Sequence, residues 1–332
     1  MPDLGPDQTA GHLAFFEDLH PPKSDFRADV LLGLSKPQKA IEPKYFYDQA
    51  GSEIFDRITN APEYYLTRTE LALLEKIGPE IRTVVGGQAV VLEPGAGSSV
   101  KIRSLLDALV DPAAYVGMDI SGEHVKSACE ALAVDYPNVR VGAVCHDFTR
   151  PLDPDQFDLP EGRRVMFFPG STIGNFELTG ALDLLKAFRA SLRPGDGLLI
   201  GVDLRKDAAV LEAAYDDAAG ATAAFNYNLV DRINSELDGT LDARNLVYRA
   251  HWNPYRSRVE MYLQAKADQI FSVSGQVFTL RAEETIHTEN SHKFTVSTFS
   301  DLARVAGWTP SGVWVSEDRA FSIHWLEFAH EA

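Results

Sequence analysis

The segment VLEPGAGSSVKI, residues 91 to 102, carries an acid into two glycines, two serines and a lysine. Glycine at the carboxyl end of a strand lets the backbone approach a ligand closely. In an open α/β sheet, ligands bind beyond the strands' carboxyl ends, where strand order reverses. Gly95-x-Gly97 begins the G-x-G-x-x-G fingerprint of a nicotinamide dinucleotide site, but Val100 stands where the third glycine belongs. A P-loop is excluded, because no G-K-S/T follows. S-adenosylmethionine (SAM) needs a close-approach loop without a pyrophosphate cradle. It also needs an acid after the second strand for the ribose and an acid–aromatic pair after the third for the adenine. Asp119 in VGMDIS and Asp147-Phe148 in CHDF stand at those places. Asp119 would serve either ligand, so the three positions in register, rather than any one, favour SAM.

These residues need a sheet to hold them. QAVVLEP, AAYVGMDI, VRVGAVCHDF, RRVMFFPG and GDGLLIGVDL read as five buried strands, with helices between them. Such alternation, with apolar strands, predicts a parallel sheet covered on both faces. Upstream, the residues from Phe15 to Leu34 suggest one or two short helices, and Thr67-Arg68-Thr69-Glu70 has the spacing of a capping box. The alternation pauses at Val202–Lys206. Residues 207 to about 234 have a helical pattern, and the period-two stretches after them, up to Glu289, suggest an antiparallel sheet. A helix ending near Gly307 and two strands close the chain. The predicted fold class is α/β: a Rossmann-like SAM-dependent methyltransferase domain with a second, α+β substrate-binding domain. The expected layout gives 70–205 and 294–332 to the SAM domain and 15–69 and 206–293 to the substrate domain, with 1–14 disordered.

Composition narrows the partners. The 332 residues carry a formal charge of −17, with a pI near 4.9. Nucleic acid and anionic membrane surfaces repel such a chain, so a small-molecule substrate is expected. No apolar run reaches the roughly 18 residues of a transmembrane helix, and the N-terminus lacks a basic-then-apolar signal pattern. Two cysteines, Cys129 and Cys145, read as free thiols in a reducing cytosol, hence a cytoplasmic protein. The nine histidines form no H-x-x-x-H pair, and no metal site is expected. A monomer is expected.

Five further segments carry a resemblance. YFYDQAGSEIFDRITNAPEYYLTRTE, LEPGAGSSVKIRSLLDAL, FFPGSTIGNF, AAYDDAAGATAAFN and TENSHKF occur in that order. Together they resemble the SAM-dependent histidine Nα-methyltransferase family of ergothioneine biosynthesis, over about Phe15 to Phe328. The resemblance implies trimethylation of the α-amine of L-histidine, giving hercynine, with the substrate at a domain junction. It implies SAM contacts at Tyr64, Gly95, Lys101, Asp119, Asp147 and Phe148. It implies histidine contacts at Tyr47, Asn175, Tyr215, Glu289 and Ser291. Asn175 and Tyr215 resemble the carboxylate holders, Glu289 and Ser291 the imidazole holders, and Tyr47 the residue beside the reacting amine. The chain departs at Asn290, where an apolar residue is expected; neighbours in a strand point to opposite faces, which leaves two orientations, one facing away and one facing the pocket, where it would alter the imidazole specificity.

Methyl transfer from a sulfonium mainly asks the protein for position, and orientation alone can contribute ~7–11 kcal/mol. The product is a quaternary ammonium, which aromatic faces attract. Tyr47, Tyr64 and Tyr65 are candidates to line that space, whereas Phe46 and Phe225 are assigned to core packing. Two rival readings stand beside histidine methylation: an Nα-methyltransferase of another aromatic amino acid, and a SAM-binding protein without catalysis.

Overall fold

The computed structural model describes residues 12–22, 25–97 and 100–329. Most of the segment expected to be disordered, and Ser98 and Ser99 of the glycine loop, lie outside the described residues. The first seven strands are β1 (Phe15–Asp18), β2 (Lys39–Ala40), β3 (Val90–Pro94), β4 (Ala114–Asp119), β5 (Arg140–Cys145), β6 (Arg164–Phe168) and β7 (Gly197–Asp203). Next come β8 (Leu246–Asn253), β9 (Arg258–Ala265), β10 (Gln269–Val273), β11 (Gln276–Leu280) and β12 (Thr285–His292), then β13 (Thr309–Val315) and β14 (Phe321–Glu327).

The large sheet has the order β1-β5-β4-β3-β6-β7-β14-β13. Its strands from β1 to β7 run parallel, and β14 and β13 turn back antiparallel. Every residue of β3, β6 and β7 is buried, as expected of strands covered on both faces. β3 has β4 on one side and β6 on the other. The chain therefore reverses direction of travel across the sheet at β3/β6, and the cleft beyond the ends of those strands is the ligand position of such folds. The glycine loop leaves β3 at that cleft.

The smaller sheet, β2-β12-β9-β8, packs with the helices Phe26–Ser35, Gln49–Thr59 and Ala221–Glu236 around its own apolar core. The two sheets meet at a short backbone seam. Phe294 N–H donates to Asp203 O at 3.0 Å, and Arg205 N–H donates to Phe294 O at 2.8 Å. The ends of β7 and β12 are thereby brought side by side.

Two local expectations fail. Phe15–Asp18 is a strand on β5, not a helix, and it belongs to the large sheet rather than beside residues 26–69. Its place is made by Gly142, where a Cβ would collide with the Phe15 ring; the ring also stacks on Phe157 at 5.3 Å. Thr67 caps nothing, because the helix already begins at Tyr65. Glu70 points into the interior, 1% exposed, where a buried cation and a backbone amide outcompete the capping position.

Candidate functional site

The first half of the site is built from strand ends of the large sheet. Gly95 has φ +70°, in the left-handed region, and a Cβ on it would touch the Phe148 ring at 3.6 Å. A side chain there would strain the backbone and crowd the cleft. Asp119 ends β4 and accepts from Ser121 N–H at 2.8 Å; among the described residues it forms no ion pair, and burial raises its pKa. Asp147 accepts from the Thr149 amide and hydroxyl at 3.1 and 2.6 Å, and the Phe148 ring meets Phe168 edge-on at 5.9 Å. A bare loop, a strand-end carboxylate and an aromatic ring thus border one cleft. This set fits an adenosyl group: the hydroxyls of a ribose suit Asp119, and a base suits Phe148.

Lys101 follows the loop in the helix Val100–Ala108, and its ammonium pairs with Glu70 at 2.6 Å. Both Glu70 oxygens also accept from Gly170 N–H at 2.9 Å. Gly201 in β7 leaves the slot that admits this carboxylate, since a Cβ there would collide with it. Glu70 therefore ties the helix after the glycine loop to the loop after β6, which continues through Ser171 into the short helix Thr172–Asn175. Sequence reasoning missed this role, because the T-x-x-E spacing assigned Glu70 to a cap.

The second half is built from side chains of distant segments. β12 is the strand that matters. Its register against β9 slips between His287 and Glu289, so Thr288 is an extra residue. Thr288 is fully buried, and its single hydroxyl hydrogen is shared between Asn226 Oδ1 at 2.6 Å and Met261 O at 3.0 Å. After this bulge Glu289 and Ser291 lie on one face, with Lys293 continuing the alternation, and Asn290 and His292 lie on the other. Asn290 accordingly turns away from Glu289: its amide donates to Glu177 at 2.8 Å, and its oxygen meets His287 Nε2 at 2.8 Å. Of the two orientations open to Asn290, the structure has the one that faces away from Glu289.

Glu289 is buried, and its carboxylate makes no hydrogen bond or ion pair among the described residues. Burial pushes its pKa up to about 8, with Lys293 pulling in the other direction. An acid in this state is a group without its partner, because a buried charge is costly unless paired. Tyr47, Tyr64 and Tyr215 converge on it. Burial raises the pKa of each phenol, and Glu289 raises each further. Tyr47 keeps 49% of its surface accessible, with its ring edge-on to Phe55 and Phe225. Tyr64 and Tyr215 pack edge to face at 6.1 Å. Asn175 is part-buried, on the short helix packed against β12, and its amide makes no hydrogen bond among the described residues.

Tyr215 and Ser291 do not occupy opposite ends of the pocket, as the assignment to carboxylate and imidazole suggests. Their hydroxyl oxygens lie 2.7 Å apart. Phe46 and Phe225 stack at 4.3 Å and are core, as read from the sequence, with Tyr47 edge-on to Phe225. Tyr65 is buried in the same core, and its hydroxyl donates to Asp203 at 2.7 Å. Asp203 and Lys293 were missed by sequence reasoning, yet both had a signal. Lys293 continues the alternation Glu289, Ser291, and Asp203 ends a buried strand as Asp119 does.

The profile of one family, described as "Histidine-specific methyltransferase, SAM-dependent", matches residues 26–328. The chain belongs to this family. Among its relatives is the histidine N-alpha-methyltransferase of Mycobacterium tuberculosis, 38% identical over 96% of each chain. The protein of the same name from Mycolicibacterium smegmatis is 40% identical over 81% of this chain and 84% of its own. Ergothioneine biosynthesis protein 1 of Schizosaccharomyces pombe is 30% identical over 74% of this chain but only 33% of its own length. For a member of the histidine-specific methyltransferases, SAM is the methyl donor, and the chain is an N-methyltransferase. Among the described residues no helix is long and apolar enough to cross a membrane.

Proposed function

We propose that the protein methylates the α-amine of L-histidine three times, giving hercynine for ergothioneine biosynthesis, in the cleft between the two sheets. The observation that carries the substrate assignment is the unpartnered, buried Glu289 beside Ser291. A carboxylate there accepts from an imidazole N–H, and Ser291 addresses the second ring nitrogen. Asn175 addresses the amino acid's carboxylate. The Tyr215 hydroxyl, already engaged by Ser291 and Lys293, keeps a lone pair for the ammonium, and Tyr47 lies beside the amine. In the other half of the cleft, Gly95, Asp119, Asp147 and Phe148 hold SAM, with Tyr64 and Lys101 beside them.

When bound, SAM supplies an activated methyl group on a positively charged sulfur. The chain's own groups orient and select. Tyr47, Tyr64 and Tyr215 have pKa values raised by burial and by Glu289, so they remain protonated hydroxyls that position the ligands rather than act as bases. The ammonium loses one proton before each of the three transfers. The aromatic rings then face an increasingly methylated cation, which favours their π-faces by about 0.5–2 kcal/mol each.

The same proposal covers organisation. Residues 26–69 and 206–293 form the substrate domain, and 70–205 with 294–329 the SAM domain, which strand β1 extends. The finer partner and location readings, a monomer in the cytoplasm, are supported by the acidic charge and by two buried free cysteines; light scattering tests the former. Transfer of label from methyl-tritiated SAM to a panel of free amino acids tests the activity. L-histidine should be labelled up to the trimethyl product. Labelling of tryptophan or tyrosine in its place, or of nothing, overturns the reading.

A further inference from the structure

Lys293 has no part in the contacts assigned above, yet it stands directly behind two of them. Its side chain is fully buried, and its ammonium lies 2.6 Å from Asp203, 2.7 Å from the Tyr215 hydroxyl and 2.9 Å from Ser291 Oγ. A lysine ammonium has three donors and no acceptor, so these three oxygens use it completely. Asp203 is anchored in turn, by the Tyr65 hydroxyl at 2.7 Å and by Lys206 at 2.6 Å. Both hydroxyl oxygens therefore accept from Lys293. They are also hydrogen-bonded to each other at 2.7 Å, so one of them donates to the other.

Donor counting then fixes what the pair can offer a ligand. A hydroxyl has one hydrogen and two lone pairs. The oxygen that accepts both from Lys293 and from its neighbour has no lone pair left, and only its own hydrogen is free. A phenol's oxygen shares a lone pair with its ring, which makes it the better donor and poorer acceptor of the two hydroxyls, so Tyr215 donates and Ser291 accepts.

We propose that Lys293, anchored by Asp203, is a positioning residue for substrate choice: by donating to both hydroxyls it keeps Tyr215 donating to Ser291, so that the Ser291 oxygen is saturated and its own hydrogen is left for the ligand. Ser291 then requires an acceptor, the unprotonated nitrogen of the substrate ring, while Glu289 accepts from the N–H of the other nitrogen. The pocket reads a ring with one acceptor and one donor nitrogen, which is neutral imidazole. An indole offers no acceptor nitrogen and leaves the Ser291 hydrogen unpaired, a penalty that a matched polar site imposes on analogues lacking its partner. The inference rests on the assignment of Glu289 and Ser291 to the ring.

The test compares kcat/KM for L-histidine and for β-(2-thienyl)alanine, whose ring is of similar size but has no nitrogen. The proteins are the wild type, Lys293→Met, Ser291→Ala, the double variant and Tyr215→Phe, with SAM affinity and thermal melting measured alongside. Methylation of L-histidine by the wild type is the control; its failure overturns the functional reading itself and not the role of Lys293. Lys293→Met should lower the histidine preference by roughly tenfold, through KM more than kcat, with SAM affinity retained. Ser291→Ala should lower it equally, and the double variant no further. Tyr215→Phe should weaken both substrates alike and keep the preference, because Ser291 still has its free hydrogen. An unchanged preference in folded Lys293→Met, or multiplying losses in the double variant, overturns the proposal. If Lys293→Met does not fold, the remaining pair decides: a loss of preference in Tyr215→Phe as large as in Ser291→Ala also overturns it.

Discussion

The two halves of the cleft are made by different means. The SAM side is a backbone construction: a strand stops, a glycine takes φ +70°, and short polar side chains close their own turns, as Asp119 does on Ser121 and Asp147 on Thr149. The histidine side is a side-chain construction. Tyr47, Asn175, Tyr215 and Glu289 come from four separate segments, and the buried carboxylate among them makes no hydrogen bond or ion pair among the described residues. A backbone site binds a ligand that many proteins share and needs few specified residues. A side-chain site defines one substrate, at the cost of keeping polar groups in a dry interior.

The sharpest way to break that contrast is to remove the residue that joins the halves. Glu70→Ala strips Lys101 and Gly170 of a buried partner and should cost about 3–5 kcal/mol of stability, with SAM and histidine affinity both falling. Denaturant unfolding measures it. A loss confined to one ligand would show that Glu70 serves only that side.

Glu289 offers two measurements of intermediate size. Its folded pKa of about 8 lies above the ordinary 4.5, so its neutral form is the one compatible with burial. The stability it permits is full below pH 4.5 and is lost as the pH rises towards 8. Glu289→Gln, which is neutral throughout, should match the wild type in melting temperature near pH 4.5. Above pH 8 it should melt higher, with a stability advantage on the order of a few kcal/mol. Glu289→Ala should raise the histidine KM by the equivalent of ~1–3 kcal/mol and relax the preference towards tryptophan. An unchanged ratio of histidine to tryptophan turnover would remove Glu289 from the ring.

Asp119→Ala should weaken SAM by ~1–3 kcal/mol while leaving the histidine-to-tryptophan ratio alone, as calorimetry and competition assays can establish. The smallest effect belongs to Asn290→Ala. Its amide serves Glu177 on the far face of β12, so the ratio should change by less than about 0.5 kcal/mol, the scale of substitutions away from such sites. A large change would mean that Asn290 faces the pocket.

The same division governs what the sequence discloses. The SAM side is local, and VLEPGAG, VGMDIS and CHDF display it to a reader of strands and turns. Glu289 has no such signal: within EETIHTENSHKF it reads as one more surface acid, and only the resemblance to a family marks it. Thr67–Glu70 misleads for a related reason, since a spacing cannot tell whether a glutamate folds back on its helix or is drawn inward by Lys101. Phe15–Asp18 reads as helix because the vacancy it fills is set by Gly142, far along the chain. Local pattern records backbone decisions; burial among distant segments leaves no local trace.

The bulge at Thr288 has a consequence for how this enzyme can change. The segment ENSHK holds two interleaved polar alphabets, Glu-Ser-Lys and Asn-His, and pairing with β9 decides which one is read. Glu289 stays opposite Met261 whether or not the extra residue is present, because cross-strand neighbours share a face. Point substitutions edit a single letter at a time. The bulge is therefore the place where this strand can gain or lose a residue without changing the set it presents, and variants lacking Thr288 should lose stability before they change substrate.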